Sequence, residues 1–309
     1  MKARALWTTE PGVFDIQEQA LGDAPNGSVV VSALCSGVSR GTESLVFQGL
    51  VPNELHDVMR CPGQDGTFDF PVKYGYALVG EVEAGPKDLL GQVVFALHPH
   101  QDRVVLSAAD VRPLPADLPP RRAVLAANME TALNLAWDSG VGPGDRVLVV
   151  GAGVVGLLTA ALISRIPAVD LIVADQNLAR RDLVEAVGAR FAGPDQLPEG
   201  VDCAFNLSGS AAGLQVAIDA AGQEATVIEG SWHGAAQSPL ALGGTFHPRR
   251  ITIKSSQVGS LPPHRVPRWT YARRIETALK LLVDRPELDA LTGPSIPLGQ
   301  APDRLPTLL

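Results

Sequence analysis

The sequence predicts an α/β protein made of an N-terminal β domain and a doubly wound, six-stranded parallel sheet. Three observations predict it. The first stretch, to about residue 110, holds short Val-rich runs cut by Gly and Pro, without long helical periodicity. From Arg146 the chain alternates strand and helix patterns. At the first strand-to-helix junction of that alternation stands Gly151-Ala152-Gly153-Val154-Val155-Gly156.

The elements follow in order. Residues 28–34, 79–82, 92–96 and 103–106 read as strands, with turns at Pro11-Gly12, Ala24-Pro25 and Gly85-Pro86. That spacing suits a small, strongly turned barrel or sandwich with a short helix near residues 43–48. After Pro119-Pro120 the pattern changes, and residues 122–138 are Ala- and Leu-rich at helical spacing. Strands are expected at 147–150, 169–174, 190–192, 203–207, 226–229 and 251–255. Helices are expected at 178–187, 211–221 and 271–283. Asn177 suits an N-cap and Gly188 a helix stop. The tail from residue 286 is short and Pro-rich.

Composition narrows the class. A chain of 309 residues has room for two domains, and 46% apolar against 19% charged residues marks a folded one. A net charge of −8 argues against nucleic acid as a partner. Cys35, Cys61 and Cys203 form no CxxC pair and no disulfide framework, which suits buried small side chains in the cytoplasm. No apolar run follows Met1-Lys2-Ala3-Arg4, so no signal peptide is expected. Residues 147–164 carry no charge and approach membrane-spanning length. Three glycines early in that run point instead to a buried strand followed by a buried helix, and no membrane partner is expected.

The glycine motif meets its contextual tests. It follows a strand, opens an apolar helix, and lies 19 residues before Asp175 at the end of the next strand. Gly151 permits the tight turn, Gly153 lets a pyrophosphate approach the backbone, and Gly156 lets helix and strand pack closely. The unpaired amides of the first turn, where Val154 and Val155 lie, would meet the pyrophosphate. Asp175 would accept hydrogen bonds from the adenosine ribose and repel a 2′-phosphate, favouring NAD(H) over NADP(H). Arg180 and Arg181 nearby temper that preference. Ser208 and Gly209 follow the fourth strand, either beside the cofactor or as a simple turn with an N-cap at Ser210.

Three segments carry a family resemblance. Ser36-Gly37-Val38-Ser39-Arg40-Gly41-Thr42-Glu43, Gly75-Tyr76-Ala77-Leu78-Val79-Gly80-Glu81-Val82 and Ala127-Asn128-Met129-Glu130-Thr131-Ala132 are similar to segments of the medium-chain dehydrogenase/reductase family. The resemblance spans nearly the whole chain. It implies a GroES-like β domain at residues 1–120, rejoined by 286–309, and a Rossmann domain at 121–285. It also implies a small-molecule substrate and a homodimer. Where zinc-dependent members carry three ligands, this chain has Ser39, Tyr76 and Ala127, and the four-Cys structural lobe is missing. The resemblance is therefore to a zinc-free member. The first segment is also similar to the dehydrogenase that acts on bacteriochlorophyllide side chains.

Without zinc, hydrogen-bond donors must stabilise charge on a carbonyl oxygen. Thr42 falls where the family uses a hydroxyl in proton relay. Tyr76 would place a phenol in the site, as proton donor or as an aromatic wall filling the vacated volume. Ser39 occupies another of the positions where the family carries a ligand. His100 is a candidate proton relay. Glu130 would face the nicotinamide, be solvated on its helix or pair with an arginine, and Thr131 on the same helix would contact the cofactor. His98-Pro99-His100 is the one metal suspicion, with Glu130 or Asp102 as third ligand. Residues 248–275 hold seven basic side chains and no acidic one, which suits an anionic substrate, a subunit contact or a solvated face. These residues point to a zinc-independent, NAD(H)-dependent oxidoreductase acting on an alcohol, a carbonyl or a conjugated carbonyl. The alternative is a non-catalytic NAD(H)-binding sensor or accessory protein.

Overall fold

The computed structural model describes residues 2–309. They form two compact units. One comprises the chain up to Ala127 with Leu279–Arg285 and Thr292–Leu309. The other comprises Asn128–Ala278 with Pro286–Leu291.

The first unit opens with a hairpin, β1 (Lys2–Glu10) and β2 (Val13–Ala20), turned at Gly12 with φ +82°. There follow β3 (Ser28–Ser36), α1 (Arg40–Phe47), β4 (Asp65–Gly66), β5 (Val72–Lys73), β6 (Leu78–Ala84), β7 (Val93–Ala96), β8 (Arg103–Ser107) and β9 (Arg112–Pro113). They make two antiparallel sheets, ordered β2-β1-β5-β4 and β8-β3-β6-β7-β9. In the second sheet alternate residues face inward. Val29, Val31, Leu78, Val82, Val94, Ala96 and Val104 form one buried cluster, each valine or leucine side chain contributing about 1.5–3 kcal/mol. The C-terminal turns pack Ala301 and Leu305 on Leu6 of β1.

The Ala- and Leu-rich stretch is two helices, α2 (Pro120–Ala123) and α3 (Ala126–Ser139). In the second unit come β10 (Arg146–Val150), α4 (Val154–Ile163), β11 (Asp170–Ala174), α5 (Arg181–Ala186), β12 (Arg190–Ala192), β13 (Val201–Asn206), α6 (Ala211–Ala220), β14 (Ala221–Glu229), β15 (Thr252–Ser255) and α7 (Tyr271–Leu281). The six strands are parallel and ordered β12-β11-β10-β13-β14-β15, the 3-2-1-4-5-6 order of the dinucleotide-binding fold. The uncharged 18-residue run is β10, the glycine turn and α4. That helix is apolar all round, and seven of its ten residues are buried. No helix among the described residues is long and apolar enough to cross a membrane. Asn177 accepts from the Ala179 amide and caps the turn before α5, while Gly188 takes φ +85° just beyond it.

Candidate active site

In the second unit the glycine loop has the form that a pyrophosphate needs. Gly151 adopts φ +106°, and a Cβ there would stand 2.7 Å from the Leu207 carbonyl oxygen. A Cβ on Gly156 would overlap the Gly151 carbonyl oxygen. Gly153 differs, because a Cβ there would meet nothing within 4 Å. Packing within the chain does not demand a glycine at that position. The open space lies over the N-terminus of α4, whose first-turn amides, those of Val154 and Val155 included, lack intrahelical acceptors. This cradle fits a dinucleotide.

Asp175 follows β11 and is tied to the loop. Its carboxylate oxygens accept from the Ala152 amide at 2.7 Å and the Asn177 amide at 2.8 Å. Each oxygen keeps a lone pair for a hydroxyl. Arg181 lies over the Phe191 ring at 4.7 Å and faces Glu185 at 3.7 Å. Beyond β13, the Gly209 amide donates to Ser231 Oγ and Ser208 Oγ donates to Asn206 Oδ1. Ser210 caps α6 by accepting from the Gly213 amide. Asn206 Nδ2 also donates to Glu229 at 2.7 Å. The ends of β13 and β14 are thus laced together by a polar network that the sequence reading did not anticipate. Thr131 lies on α3.

The first unit gathers most of the other candidates. Tyr76 is hydrogen-bonded by the side chains of Ser39 and Thr42. Ser39 is the N-cap residue of α1, yet its hydroxyl does not cap the helix. Instead, Glu43 reaches back and accepts from the Ser39 amide at 2.6 Å, as the acid of a capping box does. Burial and then the nearby Glu43 charge raise the Tyr76 phenol's proton affinity, and the two hydroxyls partly oppose them. Tyr76 therefore stays protonated and can donate.

His100 is 3% exposed and engaged on both ring nitrogens. Nε2 lies 2.7 Å from Glu43 Oε2 and Nδ1 lies 2.9 Å from Ser36 Oγ. Leu6, Thr8, Phe14, Val46 and Tyr74 line a small cavity together with the pair. His98 is also buried, but it packs against Gly63 while His100 packs against Gly75. Its Nδ1 faces the Pro99 carbonyl, and burial lowers its pKa to about 4. Asp102 is taken by the Arg4 amide and guanidinium. Among the described residues no three His, Cys, Asp or Glu side chains converge as metal ligands. The groups at the family's ligand positions, two hydroxyl side chains and Ala127, do not suit zinc either.

Two expectations change with the structure. Glu130 is not a free carboxylate turned to a cofactor: it is buried and paired with Arg274 Nε at 2.9 Å. Burial raises its pKa and Arg274 opposes the rise. The sequence left the arginine partner open beside a solvated residue and a cofactor contact, and a partner 144 residues away decides among them. The basic stretch is not an open positive patch either. Arg274 is buried, Lys254 pairs with Asp138, Arg250 pairs with Glu224, and Arg265 and Arg273 lie over Trp137 and Trp269. Acidic partners outside the stretch, Glu130, Asp138 and Glu224, offset charge that a linear count leaves bare.

No family model matches the chain. It is similar to D-guloside 3-dehydrogenase of Escherichia coli K12, 27% identical over 229 residues, which cover 68% of this chain and 65% of that enzyme. The chain thus spans just under two thirds of that relative's length. In structure it resembles the alcohol dehydrogenase TADH of Thermus sp. ATN1, with a TM-score of 0.76 and 19% identity over 99% of this chain and 96% of that one. It also resembles an alcohol dehydrogenase of Escherichia coli CFT073 complexed with NADH, with a TM-score of 0.70 and 17% identity over 93% and 90% of the two chains. These likenesses support the resemblance to the medium-chain dehydrogenase/reductase family that the sequence carries.

Proposed function

We propose that this protein is a nicotinamide-dependent oxidoreductase that works without zinc, prefers NAD(H), and interconverts a side-chain alcohol and its carbonyl. The observation that carries the reading is Tyr76. Where zinc-dependent relatives hold a metal ligand, this chain holds a protonated phenol hydrogen-bonded by Ser39 and Thr42. The glycine cradle and Asp175 supply the cofactor site. The cofactor-bound neighbour and the dehydrogenase relative support the same class.

When bound, the nicotinamide gives or takes the hydride. The chain's residues handle the proton. In the reducing direction Tyr76 donates to the oxygen on which charge develops, and the Thr42 and Ser39 hydroxyls steady the phenolate that remains until a proton is restored. In the oxidising direction the same atoms run in reverse. Neutral donors stabilise less charge than a divalent cation, so hydride addition to the alkene carbon of a conjugated carbonyl, which spreads the charge over an enolate, is the second acceptor chemistry that suits the site. The first loop's similarity to the bacteriochlorophyllide side-chain dehydrogenase makes such a pigment the first substrate to try. Three unpaired cysteines, two of them buried, suit a reducing cytoplasmic setting.

The test is a panel of alcohols, ketones and enones, with bacteriochlorophyllide side-chain alcohols included, assayed with NAD(H) alongside metal analysis of the same protein. Turnover by metal-free protein is expected. One tightly held zinc per chain, lost together with activity on chelation, refutes the metal-free mechanism. NADH binding with no turnover on any member favours the sensor or accessory reading.

A further inference from the structure

We infer that Glu43 and His100 are positioning residues: a buried staple that holds the first loop and Tyr76 in register, as a metal centre would. The inference rests on the proposed role of Tyr76.

The geometry is specific. The loop from Ser36 to Glu43 carries Ser39 and Thr42, the two hydroxyls on the phenol. His100 grips both ends of it, Ser36 Oγ through Nδ1 at 2.9 Å and Glu43 Oε2 through Nε2 at 2.7 Å. The other Glu43 oxygen holds the Ser39 amide at 2.6 Å. The ring also lies against the residue preceding Tyr76. Gly75 adopts φ +128°, and a Cβ there would stand 2.7 Å from His100 Nε2. One imidazole therefore touches the start of the loop, its helix and the backbone that presents Tyr76. With both nitrogens occupied and the ring 3% exposed, it holds rather than reacts. The hydrogen bonds survive either charge state. A neutral ring donates from one nitrogen and accepts at the other, with the Ser36 hydroxyl turning to match, while a protonated ring donates from both.

The chemistry separates a staple from an electrostatic role. Glu43→Gln keeps an acceptor for the Ser39 amide, and its amide N–H can donate to Nε2 of the other imidazole tautomer. Glu43→Ala and His100→Ala remove the links. Gly75→Ala pushes the ring away while leaving Glu43 in place.

The experiment measures deuterium exchange over residues 36–47 in the NADH-bound protein, with kcat and NADH affinity for each variant. Glu43→Ala, His100→Ala and Gly75→Ala should speed exchange in that loop. They should lower kcat by about 10²-fold, the scale of an ångström-sized misplacement, with NADH affinity unchanged. Glu43→Gln should keep the parent's slow exchange and lose far less kcat than Glu43→Ala, although it also removes the charge beside Tyr76. Should the alanine variants fail to fold, Ser36→Ala cuts one arm only and should give a smaller loosening with a smaller loss. Unchanged exchange in Glu43→Ala or His100→Ala overturns the staple. So does a loss of kcat in Glu43→Gln as large as in Glu43→Ala without loosening, because charge rather than linkage would then matter. If Tyr76→Phe leaves kcat intact while the staple variants still loosen the loop, the proton-donor role of Tyr76 fails and the exchange result alone upholds the staple.

Discussion

Replacing Tyr76 by Phe removes one oxygen and keeps the ring. The side chain meets Tyr74 edge-on, with ring centroids 6.1 Å apart, and Phe preserves that contact. The loss is the phenolic proton and its hydrogen bonds with Ser39 and Thr42. For stability this is small, about 1 kcal/mol per hydrogen bond. For the reaction it is large if Tyr76 is the donor, since a positioned general acid supplies about 10²–10⁴-fold, or roughly 3–5 kcal/mol of barrier. The assay compares kcat, KM and NADH affinity for Tyr76→Phe, Thr42→Val and a control, Tyr74→Phe. Tyr74 donates to the Met59 carbonyl at 3.2 Å, so the control loses a comparable structural bond. Tyr76→Phe is expected to lose at least two decades of kcat with NADH affinity unchanged. Thr42→Val should fall in the same direction, and Tyr74→Phe should stay near the parent. A Tyr76→Phe enzyme with near-normal kcat refutes the donor role and makes the ring a wall, in which case Tyr76→Ala is the damaging change.

Two further outcomes follow. A 2′-phosphate a few ångströms from Asp175 meets a repulsion of about 1–4 kcal/mol, so fluorescence titration should find NADH bound about tenfold or more tightly than NADPH, with the gap shrinking in Asp175→Asn. His98 has its folded pKa lowered to about 4 from an unfolded 6.5, so the unfolded chain binds the extra proton between those values. Its contribution of about 3 kcal/mol is present above pH 6.5 and lost as pH falls towards 4. Urea unfolding at a series of pH values should show a shallower acid decline in His98→Gln, and an unchanged slope would contradict the assignment.

The parts of this fold legible in the sequence are those whose physics is local. Parallel strands buried on both faces read as near-continuous apolar runs, and β10, β11 and β13 lie within two residues of their expected ends. The glycine loop was legible because Gly151 and Gly156 answer backbone requirements at their own positions, while Gly153 leaves open the space that a pyrophosphate would enter. The opening hairpin was not singled out as a pair of strands, although its turn was. Its strands have few β-branched residues and expose one face, so the Val-rich signal is weak. Residues 122–138 read as one helix but divide after Ala123, where Gly37 backs on to Val124. The site was legible only as a set of residue types. Tyr76, Ser39 and Thr42 belong to two motifs that the chain brings together. The partners that decide the other roles are far away in sequence: His100 for Glu43, Glu229 for Asn206, and Arg274 for Glu130. No periodicity or spacing encodes such long-range pairings.

Exchanging a metal ligand for a phenol changes what the site can turn over. A bound divalent ion polarises a carbonyl by several kcal/mol without moving a proton. A neutral hydroxyl offers a hydrogen bond worth about 1 kcal/mol in net terms, and more only where water is excluded and the donor is fixed. The Tyr76 phenol has that fixation from Ser39 and Thr42, and the Glu43 charge beside it works against ionisation. A donor held so firmly in its protonated form suits an oxygen that becomes only partly anionic. A ketone reduced at its carbonyl carbon leaves the charge on one alkoxide oxygen, whereas an enone that takes hydride at its β-carbon spreads it over an enolate. On the proposed mechanism, the loss of kcat/KM in Tyr76→Phe should therefore be larger for ketones reduced to alcohols than for enones reduced at the alkene. An equal loss, or none with the ketones, would mean that something other than Tyr76 stabilises the oxygen.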